Sequence, residues 1–199
     1  MKIRKFILFT LIYLLFFTCS LLPQNRDSWQ QPRRIMDSLM IKPGMIIGEV
    51  GAGSGYFTLK LADRLNGNGY IYANDIDESA LKKIDRQCRT ENIHNVKTIL
   101  GIEDDPLFPV DTLDLVIMVY AFHHLQKSVL YLENLTKYLK PGKPVVIVER
   151  DPDRYGNDHH FMKKELILNK INSAKYTLGK IYTFLERDNI YVCYPFVSD

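Results

Sequence analysis

Apolar and polar positions along the chain change period several times, and those changes divide it into elements. Ile35 to Ile41 carries apolar residues at helical spacing and stops at Lys42-Pro43-Gly44. Met45 to Val50 is a short apolar run that predicts a strand, and the glycine-rich stretch after it leads into a helix from Tyr56 to Leu65. Asn66-Gly67-Asn68-Gly69 predicts a turn, Tyr70 to Ala73 a second strand closed by Asn74-Asp75, and Glu78 to Thr90 a charged helix. Val96 to Leu100 and Leu113 to Val119 read as the third and fourth strands. Ser128 to Leu139 reads as a helix stopped by Pro141-Gly142, and Pro144 to Glu149 as the fifth strand. The strands are continuous Val/Ile/Leu-rich runs, which is the pattern of a parallel sheet buried on both faces. Strands alternating with helices therefore predict an α/β fold with a doubly wound, open sheet. Past Arg150 come a loop rich in Asp, Pro and Gly, a helix from His159 to Asn172, and two strand-like runs. These runs, Lys180 to Glu186 and Asn189 to Tyr194, joined at Arg187-Asp188, fit a final antiparallel pair at the sheet edge.

The first two dozen residues follow another pattern. A basic start, Met1 to Lys5, precedes an apolar run from Phe6 to Phe17 broken by Thr10, then Thr18-Cys19-Ser20 and Pro23. Residues 1–23 thus predict a secretory signal peptide or, if uncleaved, a membrane anchor, with a single domain at 24–199. Cys19 is a candidate acylated cysteine of a lipoprotein, although Phe16-Phe17-Thr18 before it fits that signal poorly. The expectation is an exported or membrane-associated protein. Basic residues flank the run on both sides, so an anchor leaving the domain facing the cytoplasm is the alternative.

Composition narrows the partners. Twenty-six Lys and Arg against 23 Asp and Glu give a formal charge of +3, spread too evenly for a nucleic-acid surface. Three cysteines with no CxxC pair argue against a structural zinc site or a disulfide framework, and no metal is expected.

The chemistry concentrates after the first strand. Gly51, Gly53 and Gly55 let the chain turn tightly and bring its backbone close to a ligand. A dinucleotide loop, Gly-x-Gly-x-x-Gly, would need its third glycine where Tyr56 stands. Glu49 at the base of the loop also suits an ammonium and a sulfonium better than a diphosphate. Asp75, closing the second strand, can accept both hydroxyls of a ribose under either reading, and Asp77 reads more readily as the cap of the following helix.

Glu49-Val50-Gly51-Ala52-Gly53-Ser54-Gly55, in its place between first strand and first helix, resembles motif I of class I S-adenosylmethionine-dependent methyltransferases. Gly101-Ile102-Glu103-Asp104-Asp105-Pro106-Leu107-Phe108 resembles the family's third motif, with Ile102 where Asp is frequent and Pro106-Leu107 in reversed order. With Arg26 to Pro32, Ala121-Phe122-His123-His124 and Leu139-Lys140-Pro141-Gly142, the chain is similar to small, often exported methyltransferases related to the ubiquinone/menaquinone-biosynthesis group. The resemblance implies a Rossmann-like, mostly parallel seven-stranded sheet and S-adenosylmethionine as cofactor. It also implies a cofactor site of Glu49, Gly51, Gly53, Gly55 and Tyr56, with Asp75 and Ile76 after the second strand and Tyr120 after the fourth. In the acidic loop, Ile102 would offer a backbone N–H and an apolar face, and Glu103 or Asp104 would meet the adenine.

His123 and His124 follow the fourth strand, where this fold presents its acceptor, so either is a candidate to take a proton. The alternative is a helix cap and a wall residue. His159 and His160 are similarly placed in the second half, but the spacing of the four histidines requires no metal. The functional expectation is methyl transfer to a small-molecule or lipid-like acceptor. A binding module that keeps the cofactor pocket without chemistry is the alternative.

Overall fold

A computed structural model describes residues 26–154 and 160–196; the expected N-terminal segment, with Cys19, and His159 lie outside them. A short helix, α1 (Arg26–Gln30), belongs to a separate unit and carries Trp29; within it Arg26 Nε donates to Gln30 Oε1 at 2.6 Å. From Gln31 onward the chain forms one compact unit. Among the described residues no helix is long and apolar enough to cross a membrane.

The compact unit begins with α2 (Pro32–Ser38), started by Pro32 at its first turn. It continues through β1 (Ile46–Val50), α3 (Tyr56–Leu65), β2 (Tyr70–Asp75), α4 (Glu78–Thr90) and β3 (Val96–Leu100). Then follow β4 (Leu115–Val119), α5 (Ser128–Leu135), β5 (Val145–Arg150), α6 (Lys164–Ser173), β6 (Tyr176–Tyr182) and β7 (Asp188–Pro195). The seven strands form one sheet in the order β3-β2-β1-β4-β5-β7-β6. Strands β1 to β5 run parallel, and β7 lies antiparallel to both β5 and β6. The expected doubly wound, mostly parallel sheet with a C-terminal antiparallel pair is the observed one.

The continuous apolar runs have a structural cause. Along β4, Val116 and Met118 enter the core shared with α5 and α6, while Leu115, Ile117 and Val119 enter the core shared with α2 and α3. Val145 and Ile147 of β5 divide from Val146 and Val148 in the same way. Each such side chain is removed from water by helices on both sides, which stabilises the fold by about 1.5–3 kcal/mol per residue. Every position of these strands must therefore be apolar, and exceptions are informative. Glu149, near the end of β5, is 1 % exposed.

Several boundaries differ from the sequence expectation, the helix expected to reach Leu139 ending at Leu135 among them, and three have a visible cause. Strand β4 begins at Leu115 rather than Leu113, because Asp114 turns its carboxylate onto the backbone N–H of Ile46 (2.9 Å) and onto Lys140 (2.9 Å). Helix α6 starts at Lys164 rather than His159, since Lys163 is extended (ψ 150°). Strand β6 lies four residues earlier than Lys180 to Glu186, and its register shifts between Leu178 and Lys180, around Gly179. An edge strand has one buried face, and most of β6 is exposed, so its apolar pattern is weak. The loop from β6 to β7 is gathered by Arg154, which donates to the carbonyls of Thr183 (3.1 Å), Leu185 (2.9 Å) and Asp188 (2.6 Å).

Candidate active site

Strand order reverses between β1 and β4, and in such sheets a crevice opens past the carboxyl ends of the two strands. A cavity of about 480 Å³ lies there, within the size range of small-molecule sites. The loops after β1, β2 and β3 line one side and the segment after β4 the other.

The first wall is made largely of backbone. Gly51 has φ +70°, and a Cβ on it would lie 2.4 Å from Cβ of Ala121, so only glycine lets the loop after β1 run against the residues after β4. Gly53 N donates to Asp75 Oδ2 at 2.8 Å, and Asp77 N donates to Asp75 Oδ1 at 2.9 Å. Both carboxylate oxygens of Asp75 are thus fixed at the cavity edge, each with a lone pair left for a hydroxyl donor. Gly55 does not line the cavity; it starts α3, and a Cβ there would meet Ile84 of α4 at 2.9 Å. Asp77 caps α4 by accepting from Ser79 N at 2.8 Å, and that hydrogen bond holds its carboxyl below the usual range.

Two other expected residues sit behind this wall. Glu49 is 2 % exposed and accepts from Thr58 Oγ1 at 2.5 Å, tying β1 to α3. Tyr56 opens α3 and packs against the core on the α2 side of the sheet. Neither lines the cavity.

Ile76 and Ile102 do line it, although they are 68 % and 52 % exposed. The N–H of Ile102 donates to the carbonyl of Asp105 at 2.9 Å, so this residue presents its apolar side chain to the cavity rather than the expected free donor. Of the two acidic candidates, Glu103 lines the cavity and Asp104 does not; both lie 3.6 Å from Lys127 Nζ. Asp105 anchors the loop from below. Burial opposes its charge, but hydrogen bonds from Lys137 and Tyr138, each 2.5 Å, outweigh burial and hold the carboxyl below the usual range.

The second wall is made of side chains. Tyr120 and His124 line the cavity with Ala121, Leu125 and Gln126. Tyr120 sits at φ +55°, a conformation disfavoured for an aromatic residue. Its hydroxyl donates to Asp188 at the start of β7, and burial pushes the phenol pKa up. Burial also raises the Asp188 carboxyl, whose Oδ1 has no hydrogen-bond partner among the described residues.

His123 is not among the lining residues; its Nδ1 lies 2.8 and 3.0 Å from the two carboxylate oxygens of Glu149. Both side chains are nearly inaccessible, at 3 % and 0 %. His124 is the more exposed of the pair. Its pKa is lowered by partial burial, and then by the neighbouring imidazoles of His123 and His160.

Several lining residues were not singled out in the sequence. Asn74 reads as the end of a strand, yet it is 2 % exposed and donates to the carbonyls of Ile99 (3.2 Å) and Pro106 (3.0 Å). Its Oδ1 accepts from the hydroxyl of Tyr131 at 3.3 Å, and both residues line the cavity. Glu149 had a visible signal, an acid closing the run Val145-Val146-Ile147-Val148.

The comparisons agree with this geometry. A family model described as a methyltransferase domain matches residues 47–142. A demethylmenaquinone methyltransferase of Geobacillus stearothermophilus is 25% identical over 115 residues, 58% of this chain and 49% of that protein. The chain thus spans about half the length of the curated relatives it matches. Among solved structures, a SAM-dependent methyltransferase from Aquifex aeolicus superposes with a TM-score of 0.80 at 19% identity, covering 88% of this chain and 95% of that one. A [4+2]-cyclase shares the fold with a TM-score of 0.73 at 13% identity, covering 88% and 85%. With the crevice at the β1/β4 reversal, the glycine loop and the family model in agreement, residues 47–142 match a methyltransferase domain, and the chain is similar to the class I S-adenosylmethionine-dependent methyltransferases of the ubiquinone/menaquinone group.

Proposed function

We propose that this domain binds S-adenosylmethionine in the crevice beyond β1 and β4 and transfers its methyl group to a small-molecule or lipid-like acceptor. The observation that carries the reading is Asp75, held by two backbone N–H groups at the mouth of a cavity that the glycine loop also lines. Such a carboxylate suits a ribose diol. Ile76 and Ile102 supply apolar surface for a flat base, and Glu103 can accept from an exocyclic amine.

Methyl transfer is an in-line displacement: the acceptor's electron pair forms the new bond to carbon as the carbon–sulfur pair returns to sulfur. The chain's task is to align the two and keep water away. Ala121, Leu125 and Tyr131 give the acceptor end an apolar lining, which fits a quinol-like or similarly apolar molecule, the class named in the relatives' titles. His124 is the lining side chain at this end able to take the acceptor's proton.

Calorimetric titration of the full chain with S-adenosylhomocysteine tests the reading. Binding is expected, and Gly53→Arg should abolish it, since Gly53 lines the cavity at φ +55° and a large side chain on it adds bulk and strain at the wall. Absence of binding by a folded protein refutes the proposal. The acidic loop, where the N–H of Ile102 is spent on the carbonyl of Asp105, favours a second reading, a cofactor-binding domain without methyl transfer. Labelled methyl appearing in any of a panel of quinols, phenols and fatty acids decides against it.

A further inference from the structure

The segment after β4 and the residues before α6 bring three histidines together. The rings of His123 and His124 are 4.0 Å apart, His123 and His160 4.9 Å, and His124 and His160 5.5 Å, centre to centre. One ring nitrogen from each lies within 4.8 Å of the others. Three nitrogens about 2.0–2.1 Å from a tetrahedral ion stand about 3.4 Å apart, so rotation of the exposed His124 and His160 rings toward His123 would close the set.

A second, independent feature is the partner of His123. Glu149 is buried, and its carboxylate grips Nδ1 of His123 at 2.8 Å, which keeps the proton on that nitrogen and leaves the Nε2 lone pair to coordinate. A carboxylate–imidazole pair of this kind orients metal-binding histidines and makes them better donors. An acid in a strand core is costly unless it serves such a purpose. Phe161 packs on His123 with ring centres 4.8 Å apart and limits how that ring can turn.

We propose that His123, His124 and His160 bind a divalent transition-metal ion such as Zn²⁺ or Co²⁺, with Glu149 orienting His123. Three imidazoles suit these ions better than Mg²⁺ or Ca²⁺, which prefer oxygen. The set leaves a fourth coordination position open. Because His124 also lines the cavity, the ion sits at its rim. An ion and a proton compete for the His124 lone pair, so with the metal bound the acceptor's proton leaves by another route. Cation binding itself does not depend on the methyl-transfer reading.

The test is a Co²⁺ titration of the full chain after chelator treatment, followed by the visible d–d bands of tetrahedral cobalt and by Zn²⁺ competition. One equivalent per chain is expected. His124→Ala and His160→Ala, both at exposed positions, should each weaken binding at least about 10-fold, and Glu149→Gln by about 10- to 100-fold. His94→Ala, whose ring contacts Asn92, should change nothing. Absence of the cobalt bands overturns the proposal. So does their survival in the His124→Ala/His160→Ala double variant, or equal loss with His94→Ala. S-adenosylhomocysteine calorimetry on the same samples reports separately on the cofactor site.

Discussion

The two walls of the cavity are held by different kinds of interaction. On the β1–β2 side, the groups facing the cavity are set by contacts between neighbouring loops, chiefly Gly53 N to Asp75 and Asp77 N to Asp75. On the β4–β5 side, Tyr120 depends on Asp188, 68 residues away, and His123 on Glu149, 26 residues away. A wall whose Asp75 is fixed by backbone donors is stiff, and its geometry rests on the glycines and on that one carboxylate. A wall of buried side-chain pairs can be retuned one residue at a time, with each change exposing a partner that has lost its hydrogen bond.

The greatest expected effect comes from joining the walls too tightly. Gly51→Val puts a β-branched side chain at φ +70° against Ala121, and urea denaturation should show a loss of about 3 kcal/mol, with S-adenosylhomocysteine binding gone. Gly53→Ala is the control. It meets no described atom and should lose only about 1 kcal/mol, from backbone strain.

Next in size is the side-chain wall. Tyr120→Phe removes the donor to Asp188 Oδ2 while Oδ1 already lacks a partner among the described residues, and should destabilise the domain by about 1–3 kcal/mol. If the pair acts as described, Asp188→Asn should cost less in the Tyr120→Phe background than in the parent, as a double-mutant cycle would reveal.

A pH series addresses the supports beneath both walls. Asp105 and Asp114 are each held below the usual carboxylate range when folded, so the unfolded chain binds protons more readily. Their stabilisation is complete above the unfolded value of about 4 and disappears as pH falls through the lower folded values. Denaturation midpoints should therefore drop on the acid side, and less steeply in Asp105→Asn. The smallest effect is expected from Asp77→Ala, which removes the α4 cap: a slightly lower melting temperature with S-adenosylhomocysteine affinity unchanged.

The same contrast explains what could be read from the chain. Motifs such as Gly51 to Gly55 and Asp75 were legible because their geometry arises within a β-α-β unit, where spacing determines contact. The parallel strands were legible because burial on both faces forces unbroken apolar runs. The placement of β6 was not, since an edge strand with a shift at Gly179 has little pattern to show. Asn74 and Tyr131 were missed because their hydrogen bond joins residues 57 positions apart, and the gathering of His160 with His123 and His124 requires the chain to return after β5. Glu49 was noticed for its charge, but the fold uses it behind the loop, on Thr58.

The antiparallel course of β7 has a consequence in time as well as space. Its first residue, Asp188, arrives beside the carboxyl ends of the parallel strands, where it meets Tyr120. A ribosome makes residues 46–75 before residue 188, so the glycine loop and Asp75 can be organised while synthesis continues. The opposite wall must wait until residue 188 has been added. A nascent domain would thus complete the near side of the pocket before it could hold the far side in shape.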